Sequence, residues 1–329
     1  MKNRQWLLAR RPKGLVSRDD FQWTETEAPA PAEGEVLVRN LWLSVDPTQR
    51  GWIAGDTYLP AVKIGEVVRS FAVGQVVESK DAKFKPGQLV QGLFGWQDHA
   101  VTKNPMPLVP GVPVETAMSA LGLTGITAYF GLLEVGRPKP GETVVISGAA
   151  GATGSAVGQI AKIKGCRAIG IAGGPEKCRW LLDDYGYDAA IDYKSEDVGK
   201  RLRELCPKGL DVFFDNVGGD ILDAALARLA LRGRVVICGA IARYNNEGGT
   251  AQGPKNYLNL LIQRGRMEGF LVLDYMPRAA EAITAIQQWM KEGRFRDRVD
   301  VMEGLENAPD ALAKLFKGEN RGKQLVRIA

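Results

Sequence analysis

Residues 143–158, TVVISGAAGATGSAVG, combine the residue types best suited to gripping a ligand. An apolar run at 144–146 leads into a turn of small residues, then into a helical pattern of Ala156, Val157, Ile160, Ala161 and Ile163. Strand, small-residue turn and amphipathic helix form the entrance to a dinucleotide-binding fold. The turn must be small because a pyrophosphate rests on backbone N–H groups at the helix N-terminus, where the dipole favours negative charge. Ala149 stands at the first glycine of the G-x-G-x-x-G pattern, and Gly151 and Gly154 supply the second and third. Taken alone, such a turn also serves strand-to-helix junctions that bind nothing.

About 20 residues further on, an NAD site places a carboxylate against the ribose 2′-hydroxyl. Here the sequence reads Ile171-Ala172-Gly173-Gly174-Pro175-Glu176-Lys177. Glycine at the strand end and a lysine within the next turn suit a 2′-phosphate, and so NADPH. The alternative for Lys177 is a solvated lysine on a helix surface, and Glu176 beside it weighs that way. Asn216-Val217-Gly218-Gly219 and Cys238-Gly239-Ala240-Ile241 repeat the theme. Both put small or amide residues at the carboxyl ends of predicted parallel strands, where ligands bind in open α/β sheets.

These groups need elements to position them. A chain of 329 residues can bury a large core and suggests about two domains. With 45% hydrophobic and 25% charged residues, its composition is that of a soluble globular protein. The net charge of +5 is small and dispersed; it suits an anionic cofactor, and no nucleic-acid module is recognisable. No apolar leader stands at the start and no apolar run reaches the ~18 residues of a membrane helix, so the expectation is a cytoplasmic protein. Cys166, Cys178, Cys206 and Cys238 are scattered without a C-x-x-C pair, which points to buried thiols. With His99 the single histidine, a zinc site is not expected.

Residues 1–120 read as β-rich: short alternating runs at 36–39, 64–68, 74–78 and 84–90 are broken by Gly and Pro. Helical periodicity begins near Glu115. From Pro140 onward strands and helices alternate, with strands at 167–172, 189–192, 211–214, 234–239 and 269–273. Helices are expected at 175–185, 195–205, 220–231 and 278–292, and 322–328 forms an isolated strand. Continuous apolar strands separated by helices mean a parallel sheet covered on both faces.

SVDPTQRG (44–51), SGAAGATGSAVGQIAK (147–162), DNVGG (215–219), CGAIARYN (238–245), RMEGFLV (266–272) and GENRGKQLV (318–326) together resemble the zinc-free medium-chain dehydrogenase/reductases. The branch is that of the leukotriene dehydrogenases, prostaglandin reductases and curcumin reductases. The resemblance implies an α/β chain in which a Rossmann doubly wound parallel sheet (123–300) is inserted into a GroES-like, β-rich catalytic domain (1–122), with 301–329 returning to the first domain. It further implies NADPH/NADP+ without zinc, and reduction of the carbon–carbon double bond of enals and enones. A homodimer is also implied, and the sheet edge around 270–273 is a route by which it could join. Carried over by position, the pyrophosphate loop matches Ala150, Gly151, Ala152, Thr153 and Gly154, and the 2′-phosphate contacts match Lys177 and Tyr193. Later cofactor contacts match Asn216, Cys238, Gly239, Ala240, Ile241, Tyr244, Phe270, Leu271, Val272 and Asn320. One departure is Thr48-Gln49, where the family usually has Tyr-Met.

Conjugate reduction needs little help from the protein. Hydride adds at the β-carbon, charge moves to the carbonyl oxygen, and one or two donors stabilise the enolate while the α-carbon takes a proton. Tyr58 matches a tyrosine that the family places near the substrate and is the first candidate donor; Tyr257 is the second. Each has the alternative of a packed tyrosine with a satisfied hydroxyl. Arg50 is a substrate-side candidate whose alternative is a salt bridge. An NADPH:quinone reductase, or an idle NADPH-binding protein, is the competing reading.

Overall fold

A computed structural model describes residues 1–108, 110–245 and 253–329. Of the described residues, the chain divides into two compact units: Met1–Met118 with 244–245 and Val299–Ala329, and Ser119–Arg243 with residues 253–298. The first crossing thus comes at Met118/Ser119 rather than at 122/123, and the return at Arg298/Val299 rather than at 300/301.

The strands of the first unit are β1 (Lys2–Leu8), β2 (Phe21–Glu27), β3 (Val36–Ser44), β4 (Ala72–Ser79), β5 (Leu89–Gly92), β6 (His99–Thr102) and β7 (Met106–Pro107). Those of the second are β8 (Thr143–Ser147), β9 (Arg167–Ala172), β10 (Ala189–Asp192), β11 (Leu210–Asp215), β12 (Leu229–Ile237) and β13 (Arg266–Gly269). The chain then returns to the first unit with β14 (Val299–Glu303) and β15 (Lys323–Arg327).

In the first unit β3 is the organiser. Its long apolar run Val36, Leu37, Val38, Leu43 is buried, and it pairs with β4, β6 and β15 in a sheet of order β14-β15-β3-β4-β5-β7. The tail strand is therefore not isolated: β15 lies between β14 and β3, because Leu325 and Val326 complete the apolar layers there. The run at 64–68 is not a strand. Gly65 turns the chain at a φ of 83°, and only Val67 makes a bridge, to Leu7. This is the β-rich unit that the short alternating runs anticipated, with the β1–β2 pair added.

The second unit holds six parallel strands in the order β10-β9-β8-β11-β12-β13. Numbered from β8 this is the doubly wound 3-2-1-4-5-6 arrangement, whose direction reverses between β8 and β11. Val145, Ile169, Phe213 and Val235 pack its interior, as continuous apolar strands buried on both faces must. Several boundaries move: the helix expected at 195–205 starts at Val198, and the strand expected at 234–239 runs over Leu229–Ile237. The helix expected at 220–231 ends at Leu226, because the chain must enter β12 at Leu229 to pair with Leu210. The edge strand lies at Arg266–Gly269 rather than 269–273, and a 3-10 turn, Val272–Arg278, carrying Pro277, follows.

Candidate functional site

The reversal between β8 and β11 leaves a crevice at their carboxyl ends, and the residues there are bound to one another. The Ser147 hydroxyl, at the end of β8, donates to Asp215 Oδ1 at 2.7 Å, at the end of β11. That carboxylate also accepts the N–H groups of Val217 and Gly218, both at 3.0 Å. Burial pushes the Asp215 pKa up, and the bonds from Gly218, Ser147 and Val217 pull against it. Asn216 completes the clamp: its N–H reaches the Ser147 hydroxyl at 2.8 Å and its side-chain amide reaches the Ser147 carbonyl at 2.7 Å. The turn after β12 joins on, since Cys238 and Gly239 donate to the Asp215 carbonyl and Ile241 to that of Asn216. Burial beside Asp215 pushes the Cys238 thiol up to about 12, which keeps it a neutral lining group.

From Ser147 the chain turns through Gly148, at a φ of 57°, into the helix Ala152–Ile163. Gly151 is its N-cap, and among the described residues no side chain caps the first-turn N–H groups. Gly154 is required for a steric reason: a Cβ there would lie 2.3 Å from the Gly148 carbonyl oxygen. The helix is held from behind by Tyr187, whose buried hydroxyl donates to the Gly154 carbonyl at 2.7 Å.

At the end of β9, Gly173 lies against the ring of Tyr193, which leaves no room for a Cβ. Gly174, at a φ of 97°, opens the helix Pro175–Asp183, which carries Lys177. The nearby carboxylate, Asp192, is already spent on the Gly174 N–H at 2.7 Å, the Lys194 N–H at 3.0 Å and the Ser195 hydroxyl at 2.9 Å. Burial pushes its pKa up, but these bonds outweigh that and hold the carboxylate below its ordinary value. Lys177 is half-buried and Tyr193 exposed, so a cation and a phenol flank the strand end, with Glu176 exposed in the same first turn. Beyond β12, Gly269 pairs with Ile237, and the Phe270 ring rests on Gly131 and against Phe214 before exposed Leu271 and half-buried Val272.

The remaining candidates are described unit by unit. In the first unit Tyr58 is 44% exposed, stands edge-on to Trp52, and shares a hydrogen bond of 2.8 Å with the Thr48 hydroxyl. Arg50 is only 3% exposed, and its Nη2 donates to the carbonyls of Pro12 and Gly14 at 3.1 Å each, so it fastens the 12–14 loop and makes no salt bridge among the described residues. Asn320 holds its own turn by donating to the Gly322 carbonyl at 2.8 Å. Tyr244 groups with the first unit. Tyr257 is an exposed residue of the second unit.

Residues 4–108 match the family described as "N-terminal domain of oxidoreductase", and residues 152–288 the one described as "Zinc-binding dehydrogenase". The NADPH-dependent curcumin reductase of Escherichia coli is 39% identical, over 100% of this chain and 97% of its own. The chain belongs to the zinc-free branch of the medium-chain dehydrogenase/reductase superfamily. The 2-alkenal reductase (NADP(+)-dependent) of Nicotiana tabacum, a second relative, is 40% identical over 90% of this chain and 88% of its own. The solved structure of CurA from Vibrio vulnificus in complex with NADPH has a TM-score of 0.94 and 40% identity, over 99% of each chain. Among the described residues, no group of three or more His, Cys, Asp or Glu side chains is placed to hold a metal, and no helix is long and apolar enough to cross a membrane.

Three residues of this site escaped the sequence reading: Ser147 as a clamp, Asp192 as the partner of Gly174, and Tyr187 behind the helix. The acid ending β11 before Asn216 was the available signal for the first. Nothing local announced the other two.

Proposed function

We propose that this protein is an NADPH-dependent reductase of the carbon–carbon double bond in α,β-unsaturated aldehydes and ketones. The observation that carries the reading is the uncapped helix Ala152–Ile163 at the sheet's reversal point, in a chain similar along its length to curcumin and alkenal reductases. The residues fit the cofactor. Ala150, Gly151, Ala152, Thr153 and Gly154 would hold the diphosphate on N–H groups without opposing charge. Lys177 and Tyr193 would hold the 2′-phosphate, with Asp192 withdrawn by its three bonds. Asn216, Cys238, Gly239, Ala240, Ile241, Tyr244, Phe270, Leu271, Val272 and Asn320 would hold the remainder.

When bound, the dihydronicotinamide supplies hydride to the substrate β-carbon. The protein's task is then to receive negative charge on the carbonyl oxygen. Tyr58 is the proposed donor to that oxygen, its proton available to the substrate when the Thr48 hydroxyl donates to it. The α-carbon then takes a proton from a hydroxyl or from water. Tyr257 remains the second candidate donor. Arg50 acts at one remove, by holding the 12–14 loop. The protein is further proposed to work in the cytoplasm as a homodimer, a reading supported by β13 being the sheet edge with Met267, Leu271 and Leu273 exposed around it.

The test is loss of dihydronicotinamide absorbance with a medium-chain alkenal, an aryl enone, a quinone and a saturated aldehyde, each with NADPH and NADH. Turnover of the alkenal and enone with NADPH is expected. Turnover of the quinone alone would assign the quinone reductase reading, and none on any substrate would remove the enzyme assignment.

A further inference from the structure

In the first unit the chain from Ile53 to Val62 forms a loop with no helix or strand inside it, and Tyr58 lies near its middle. Ile53 is fully buried and Val62 is 2% exposed, whereas residues 54–61 are exposed or half-buried. Such a loop depends on bonds that hold its ends together. The Val62 N–H supplies one, to the Trp52 carbonyl at 2.8 Å, and Asp56 steadies the return by accepting the Ala61 N–H at 2.9 Å.

Two arginines from outside the loop grip it as well. Arg11, half-buried beyond the end of β1, donates from its Nη1 to the Ile53 carbonyl at 2.9 Å and to the Val62 carbonyl at 2.6 Å, so one nitrogen ties both ends. Arg69 donates to the Pro60 carbonyl at 2.8 Å, two residues past Tyr58. Its guanidinium also lies 5.8 Å from the Trp52 ring centre, within cation–π range, and Trp52 is the ring that Tyr58 stands against. Arg50 anchors Arg11 in turn, by holding the carbonyl of Pro12 next to it. A charged donor on a buried carbonyl makes a strong bond, and its removal leaves that carbonyl unpaired unless the loop opens to water.

We propose that Arg11 and Arg69 are positioning residues for the double-bond reduction: by fixing the 53–62 loop they hold the Tyr58 hydroxyl at one place for the substrate's carbonyl oxygen. The inference rests on Tyr58 being the donor to that oxygen. Neither arginine needs to touch the substrate, because each acts through the loop backbone. The demand on the loop is strict. A donor stabilises an oxyanion only within hydrogen-bond reach of it, and a displacement of about 1 Å can cost about 100-fold in rate. An exposed loop secured by turn bonds alone would leave Tyr58 on one of its more mobile stretches. Three of its carbonyls on two guanidiniums restrict that motion at the base and on the return.

Arg11→Gln and Arg69→Gln are compared with the parent in enone turnover with NADPH and in amide hydrogen exchange of peptides spanning 54–62. In each, kcat should fall about 10-fold with the KM for NADPH unchanged, and exchange should quicken over 54–62 but not in the second unit. Arg11→Lys keeps the charge and more than one donor, and should regain part of both. In a Tyr58→Phe background Arg11→Gln should lower kcat little further. Parent-like exchange over 54–62 in Arg11→Gln overturns the bracing; if that variant does not fold, Arg69→Gln, which frees only the exposed Pro60, decides in its place. A loss of kcat that is undiminished in the Tyr58→Phe background also overturns it, since the arginine would then act elsewhere. Parent-like kcat in Tyr58→Phe alone removes instead the donor assignment on which the inference rests, and the exchange data tell that failure from a failure of the bracing.

Discussion

Gly158→Ala tests how the ligand-gripping helix is held in place. A Cβ built on Gly158 would stand 1.9 Å from Cζ and 2.0 Å from the hydroxyl oxygen of Tyr187. Ordinary contacts between such atoms are about 3.5 Å, so the ring must retreat by roughly 1.5 Å. It has nowhere to go: Tyr187 is 4% exposed, and its ring also lies where a Cβ on Gly170 would be. Retreat breaks its bond to the Gly154 carbonyl, a loss of about 1 kcal/mol. Overpacking adds about 1–3 kcal/mol, for a total of roughly 2–4 kcal/mol. Because Gly154 lies in the first turn, the helix N-terminus should shift as well and weaken NADPH binding. Urea unfolding and NADPH titration of Gly158→Ala, Tyr187→Ala and the double variant measure both effects. Tyr187→Ala makes room, so adding Gly158→Ala to it should cost little further stability, a coupling typical of residues in contact. The reasoning fails if Gly158→Ala matches the parent in stability and NADPH affinity, or if the two substitutions simply add.

Three further outcomes follow from the same structure. Lys177→Ala should raise the KM for NADPH about 10- to 100-fold and leave that for NADH nearly unchanged, as steady-state kinetics with both would reveal. Tyr58→Phe should lower kcat on an enone about 100-fold while NADPH binding is kept, and Thr48→Val should lower it less; equal rates would remove Tyr58 as the donor. Stability should also respond to His99. Its folded-state pKa is below the ordinary ~6.5, so both states are neutral above that pH. Below it the unfolded chain takes up the proton first, so stability falls as pH drops, by at most about 1.4 kcal/mol per pH unit. Denaturant midpoints across that range should fall less steeply in His99→Gln, and identical slopes would show that the imidazole is not held neutral.

The second unit was legible because parallel strands are buried on both faces and read as continuous apolar runs, such as Val144-Val145-Ile146 and Val212-Phe213-Phe214. The glycine turn was legible because backbone approach to a phosphate leaves a compositional trace. The first unit was less so. Whether residues 64–68 form a strand, or the tail pairs with β3, depends on partners far along the chain, such as Leu325 opposite Ser44. The clamp between Ser147 and Asp215 spans 68 residues, and a serine before a glycine turn carries no mark of it. Arg50 reads in sequence as a substrate-side cation or a salt-bridge partner, and only the fold shows it enclosed on two carbonyls.

The central claim is conjugate reduction, and the fate of the hydride tests it directly. A medium-chain alkenal is turned over with NADPH carrying deuterium at the transferable position, and the product is examined by NMR. The account predicts a saturated aldehyde with deuterium on the β-carbon and the carbonyl intact. An unsaturated alcohol with deuterium on the former carbonyl carbon would contradict it.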